Sequence, residues 1–231
     1  MLSSADLSAM TASLPAHATV TGSIIGGLPR DCVAEACAVW SGHSMTLAEP
    51  IAAELVHWPD TPTTAMMVRD GLLVPLMPEI YIPPDTVPTA TARVLALGCA
   101  LGSRLRADHI VVGPSAAWVH SGKYQPTIPV LSSTSHRAVI SGVMTRHLSL
   151  VSGDVETLGG APVTTPVRTA VDLLRDRRDP IASARVIAMV DSGHLDLRAV
   201  PATLDRFWGQ PGTRRAYGIL REIAAACAIR I

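Results

Sequence analysis

The sequence predicts an α+β chain: a small helix-and-hairpin module first, a mixed α/β region after it, and a helical bundle at the end. Three observations predict this. Hydrophobic residues make up 48% and charged residues 16%, which supplies a core and excludes global disorder. Apolar residues recur at helical spacing up to residue 70, and a proline-broken pair of β-rich runs follows at 72–84. From residue 109 onward strand-like runs come first and helical runs follow, which is not the alternation of a parallel sheet. Aromatics are only 3%, so Ala, Val, Leu, Ile and Met must build the core.

Residues 1–30 read as a leader with little apolar periodicity. In 31–41 (DCVAEACAVWS), Asp31 is a natural N-cap, and Val33, Ala36, Cys37 and Trp40 fall at helical spacing. Residues 46–58 form a second helix, with Leu47, Ile51, Leu55 and Trp58 on one face and Pro50 tolerated in the first turn. A third helix starts with Thr61 as cap and Pro62 at its first position, and stops at Gly71. The run LLVPLMPEIYIPP reads as a hairpin broken by Pro75 and Pro78. Three helices followed by a hairpin give, for 31–85, the layout of a winged helix-turn-helix. Its recognition helix, 61–70, would offer Thr63, Thr64 and Arg69 to DNA. The alternative is a packing module without DNA, since the wing carries Glu79 and no base.

DTVPTATAR at 85–93 is a Pro/Thr-rich linker that opens a second domain, 86–231. A helix is expected over 89–103 and a β-branched strand over 109–113. Gly113-Pro114 turns, and Ser115 caps a helix running to His120. Strand-like runs follow at 127–131, 138–148 and 155–164, the last broken by Gly159-Gly160. Helices then fill 167–177 behind Thr165-Pro166, 180–192 up to Gly193, 197–208 behind Asp196, and 211–229.

The formal net charge is zero but unevenly placed. Residues 1–92 hold two arginines against nine carboxylates, a net −7; the remainder carries +7. Lys123 is the only lysine. Arginine in its place reads either as genomic bias or as a choice for bidentate phosphate contacts. The basic clusters are the binding candidates, each with a solvated face as its alternative. Arg137 and Arg146, beside His136 and His147 around a turn at Ser141-Gly142, are candidates for DNA. Arg104, Arg106, Arg214 and Arg215 are candidates for a partner. Arg175, Arg177 and Arg178 close one helix, where bases answer the dipole. Arg214 and Arg215 open the last helix, where the dipole opposes them.

Several chemistries find no motif. The cysteines at 32, 37, 99 and 227 contain no C-x-x-C and read as free, buried thiols. There is no P-loop, no G-x-G-x-x-G and no H-E-x-x-H, and the eight histidines are scattered, so neither cofactor nor metal is expected. No carboxylate lies within ten residues of Lys123, which argues against a restriction-type nuclease core. GPSAA at 113–117 faintly resembles a nucleophile elbow with His120 following, but Ser115 reads better as a helix cap. No base precedes Arg30, and Pro15, Pro29, Gly22, Gly26 and Gly27 interrupt the uncharged stretch 7–29. A cytoplasmic protein without a membrane span is expected.

Four segments carry a family resemblance: GPSAAWVHSG (113–122), LSLVSGDVETLGGAPVTTPVRTAVDLLRD (148–176), DSGHLDLRAVPATL (191–204) and GQPGTRRAYGIL (209–220). Together they resemble the AbiEi-type antitoxins of actinobacteria, over about residues 61–225, with the specific part beginning at 109. The resemblance implies a winged-helix N-terminal domain joined to an antitoxin domain, without catalytic residues. It implies the antitoxin half of a type IV toxin–antitoxin pair, with a nucleotidyltransferase-like toxin as partner and operator DNA bound in autorepression. A stand-alone winged-helix regulator is the alternative function. Arg168 and Asp172 match the family's signature and, four apart on a helix, read as a structural ion pair. PTTAMMVRDG and MPEIYIPP stand where the family carries a basic recognition helix and a basic wing.

Overall fold

The computed structural model describes residues 34–85, 89–134 and 140–229. Among them the chain is mixed α+β, with eight α-helices and two small sheets. The leader, 1–30, lies outside the described residues, as do Asp31 and Arg137.

In the N-terminal part a 3-10 turn, Glu35–Val39, precedes α1 (Gly42–Glu54), β1 (Val56–His57), α2 (Pro62–Arg69), β2 (Val74–Met77) and β3 (Ile80–Ile82). Ser41 explains two departures from the sequence expectation. Its backbone is extended, which ends the helical run before it, and its Oγ accepts the Ser44 N–H at 3.0 Å, which starts α1 four residues early. Pro50 consequently sits inside α1, where it removes one ladder bond, instead of in the first turn. The helix ends at Glu54, and the next residues form β1, a strand the periodicity did not predict. The first sheet has the order β1-β3-β2 and is antiparallel throughout, with a bulge between Pro75 and Met77.

The second sheet has the order β6-β5-β4-β8-β7, built from β4 (Ile110–Val111), β5 (Val130–Ser132), β6 (Met144–Arg146), β7 (Val155–Leu158) and β8 (Ala161–Thr164). Gly159 and Gly160, at φ +57° and +85°, supply the two left-handed residues that a tight β7–β8 hairpin needs. The run at 138–148 behaves differently from expectation: among its described residues, 140–148, only 144–146 is strand, and it lies parallel to β5.

Helices α3 (Ala90–Leu101) and α4 (Gly113–Ser121) pack on this sheet, and α5 (Pro166–Arg175), α6 (Ala182–Asp191), α7 (Val200–Asp205) and α8 (Thr213–Ala226) gather as a bundle. Thr89 caps α3 and Thr165 caps α5 through their side-chain oxygens. Every residue of α4 from Gly113 to His120 is buried, as expected of a helix enclosed on all sides. It separates two cores, giving Ala116, Trp118 and Val119 to one and Ala117 to the other.

The first core joins Cys37, Ala48, Leu76, Ile80 and Ile82 to Leu95, Leu97, Leu101, Val111 and Val163. It therefore draws on both sides of the boundary expected at 85/86. The two sides approach closely: a Cβ on Gly98 would fall 2.7 Å from the Trp40 ring and 2.9 Å from Cys37 Sγ. The second core is made by the α5–α8 bundle around Leu173, Leu174, Met189, Leu204 and Leu220.

Candidate functional site

Helix α2 and the β2–β3 hairpin form one unit. Thr61 Oγ1 accepts the Thr64 N–H at 3.2 Å, and Pro62 follows at the first position. The Asp60 carboxylate accepts the Glu79 N–H at 3.2 Å and the Tyr81 hydroxyl, which ties the hairpin turn to the start of α2. Burial, together with the Asp60 charge, pushes the Tyr81 hydroxyl up to about 12. Thr63 and Arg69 are exposed, and Arg69 leans on Asp70 at 3.0 Å. Thr64 corrects the sequence expectation: it is 4% exposed and donates its hydroxyl to the Pro59 carbonyl at 2.8 Å, so it faces inward and cannot read a groove. An apolar groove of about 440 Å³ runs between α2, the hairpin and residues 125–127.

The basic candidates divide into arginines used inside the fold and arginines that face outward. Arg104 donates to the carbonyls of Leu101, Ala100 and Ser141, each at 3.0 Å, and so closes the C-terminus of α3. Arg146 pairs with Asp176. Arg215 donates to the Leu174 and Asp176 carbonyls at 3.2 and 3.3 Å. That arrangement resolves the conflict with its own helix dipole, because Arg215 serves the C-terminal end of α5. Arg106 is half-buried, with its backbone N–H held by His109 Nδ1 at 3.2 Å. Arg214 is exposed.

At the centre of the chain lies a buried ionic network. Arg168, 2% exposed, bridges Asp154 at 2.6 Å and both carboxylate oxygens of Asp172 at 3.0–3.1 Å, and donates to the Ser149 carbonyl. Arg206 adds two bonds to Asp154, at 2.7 and 3.0 Å. Burial alone would raise Asp154, but the bonds from Arg206, Val151 N–H and Arg168 outweigh it and hold that carboxyl below its usual range. Burial pushes Asp172 up, opposed by the Arg168 guanidinium. Phe207 lies against three guanidinium groups, those of Arg175 (4.1 Å), Arg168 (5.0 Å) and Arg206 (5.9 Å). Arg168 and Asp172 thus form an ion pair within α5, and the Arg168–Asp154 bridge holds that helix to the turn before β7.

Ser115 and His120 spend their polar atoms on backbone. Helix α4 begins at Gly113 with Val112 as N-cap, so Ser115 is not the cap expected from sequence. Its Oγ, fully buried, accepts the Val130 N–H at 2.8 Å and fastens β5 to α4. His120 Nε2 lies 2.8 Å from the Thr164 carbonyl.

A second surface lies at the turn between α7 and α8. Trp208, 69% exposed, stands beside Arg177, Gln210, Arg214 and Arg215 in a cleft of about 300 Å³. The sequence expectation put Trp208 in a helix and missed its exposure. The signal was present in the Gly-Gln-Pro-Gly that follows, which excludes helix and brings the indole to a loop. Among the described residues no group of His, Cys, Asp and Glu is arranged to hold a metal ion, and no helix is long and apolar enough to cross a membrane. No protein-family model, curated protein or solved structure gives a significant match to this chain.

Proposed function

We propose that this chain is a cytoplasmic, non-enzymatic antitoxin of the AbiEi type, which neutralises a nucleotidyltransferase-like toxin and represses its own operon. The observation that carries this reading is the unit formed by α2 and the β2–β3 hairpin. A short helix with Thr63 and Arg69 outward, braced by Asp60 against a hairpin and closed by a third strand, supports the reading of this unit as a winged reader head. The signature stretch 160–173 supports the antitoxin half, because it forms one structural piece, strand β8, the Thr165 cap and α5, around Arg168.

Co-expression tests the reading. The full chain should restore growth to cells that produce the nucleotidyltransferase-like toxin proposed as its partner, and an unrescued culture refutes the antitoxin role. A gel shift on the DNA upstream of the gene tests the reader head: Arg69→Ala should weaken the shift. Repression without rescue would favour the stand-alone regulator.

A further inference from the structure

The turn joining α7 to α8 is held open against the solvent by its own backbone. Gly209 and Gly212 have φ of +82° and +85°. A Cβ on Gly212 would fall 2.6 Å from the Arg175 carbonyl oxygen, so only glycine lets the loop lie on the end of α5. The result is an indole that is mostly exposed in a chain with few aromatics. Its aromatic neighbour, Tyr217, meets it edge-on, at 67° and 6.2 Å, and is not stacked on its face.

The groups around the indole share one sign. Arg177, Arg214 and Arg215 line the same cleft, and no carboxylate does. Arg215 is fixed in place by the two carbonyls at the end of α5. Among the described residues, Arg177 and Arg214 have no ion pair or side-chain hydrogen bond, whereas the guanidinium groups of Arg104, Arg146, Arg168, Arg185 and Arg206 are engaged within the fold. The carboxamide oxygen of Gln210 is taken by Arg175 Nη2 at 2.8 Å, which leaves its NH2 end to donate. Gly212 gives the first turn of α8 no side-chain cap, so the helix dipole adds positive potential on the same side.

An acidic peptide would satisfy the guanidinium groups but leave the indole without a partner. A planar base joined to a phosphate uses both, by stacking on Trp208 and by charge-assisted bonds to arginine. We propose that this cleft is a nucleoside-phosphate site, in which the base stacks on Trp208 and the phosphate is held by Arg177 and Arg214. A free nucleotide and a single-stranded nucleic acid present that same chemistry. The site is distant in sequence from the α2 head and does not depend on whether the chain neutralises a toxin.

The test uses the full-length chain, with fluorescence anisotropy of a short 5′-labelled oligothymidylate at several salt concentrations and with ATP as competitor. Binding is expected to weaken about 5- to 150-fold in Trp208→Ala, the range for loss of one stacked base, and to be largely kept in Trp208→Phe. Arg177→Ala/Arg214→Ala should weaken binding and flatten the log K against log salt slope by about 0.7 for each phosphate left unneutralised. All three positions are exposed, so unchanged melting curves keep a loss of binding from being a loss of fold. Displacement of the label by ATP identifies a free nucleotide as sufficient; binding of the oligomer without displacement identifies the strand. The proposal is overturned if neither probe binds at low salt, if these variants bind like the parent chain, or if polyglutamate binds to the cleft and the nucleotide probes do not.

Discussion

Ser44 Oγ donates to the carbonyl of Gly159 at 2.8 Å, joining the first turn of α1 to the β7–β8 hairpin across 115 residues of sequence. Nothing larger than glycine fits the neighbouring position. A Cβ on Gly160 would fall 2.2 Å from Ser41 Oγ and 2.4 Å from Ser44 Oγ. The N-terminal module is therefore set into the second sheet, and its removal would uncover that hairpin.

A fragment spanning 86–231 should keep helical circular dichroism but melt at lower temperature and less cooperatively than the full chain, because the α3 face that covers Ala48, Leu76 and Ile80 is laid bare. Calorimetry of both, with dye binding to exposed apolar surface, checks this. A fragment that melts as sharply and as high as the full chain would contradict it.

Ser115→Ala should cost about 1–3 kcal/mol, the penalty for an orphaned buried N–H at Val130. Urea denaturation measures it. The proposed DNA binding and toxin neutralisation, assayed at a temperature where the variant is folded, should match those of the parent chain.

Stability should fall with acid through His120. Burial pushes its imidazole down to about 4, opposed by the bond to the Thr164 carbonyl. The folded value lies below the unfolded value of about 6.5, so the unfolded chain binds the proton more readily. The contribution is complete above about pH 6.5, shrinks by at most about 1.4 kcal/mol per pH unit as pH falls, and is gone near the folded value. Urea midpoints across this window should show the slope, and His120→Gln should flatten it; an unaltered slope in the variant would remove His120 as the cause.

Arg168→Met should destabilise by about 3–5 kcal/mol, since Asp172 is left buried without its cation. Arg168→Met combined with Asp172→Leu should cost less than the single change. A thermodynamic cycle from denaturation curves tests this, and additive losses would mean that the pair is not coupled.

Most helices were legible where local chemistry marks them. Thr61-Pro62, Thr165-Pro166 and Gly193 place boundaries correctly because caps and punctuating residues act over a few positions. The hairpin at Gly159-Gly160 was legible for the same reason. The role of Ser115 was not, because its partner, Val130, is fixed by tertiary structure. Nor was the inward turn of Thr64, which depends on the Pro59 carbonyl lying beneath it. Among the site residues the charge pattern marked Arg104 and Arg215 as partner-binding candidates, but both donate to carbonyls within the fold, and a sequence does not distinguish a guanidinium that closes a neighbouring helix from one that awaits a ligand. The pair Arg168–Asp172 was readable because four residues of helix bring the two side chains together without help from the rest of the fold.

Phe207, set among three guanidinium groups, is also the only phenylalanine in the chain. Isotope labelling of that one amino acid therefore gives a single set of ring resonances, with no assignment problem. Its ring current falls on the charged ends of Arg168, Arg175 and Arg206, so one spectrum reports on the alignment of α5 with the α7–α8 turn. Loosening at either would show as a change in one signal, long before the whole molecule comes apart.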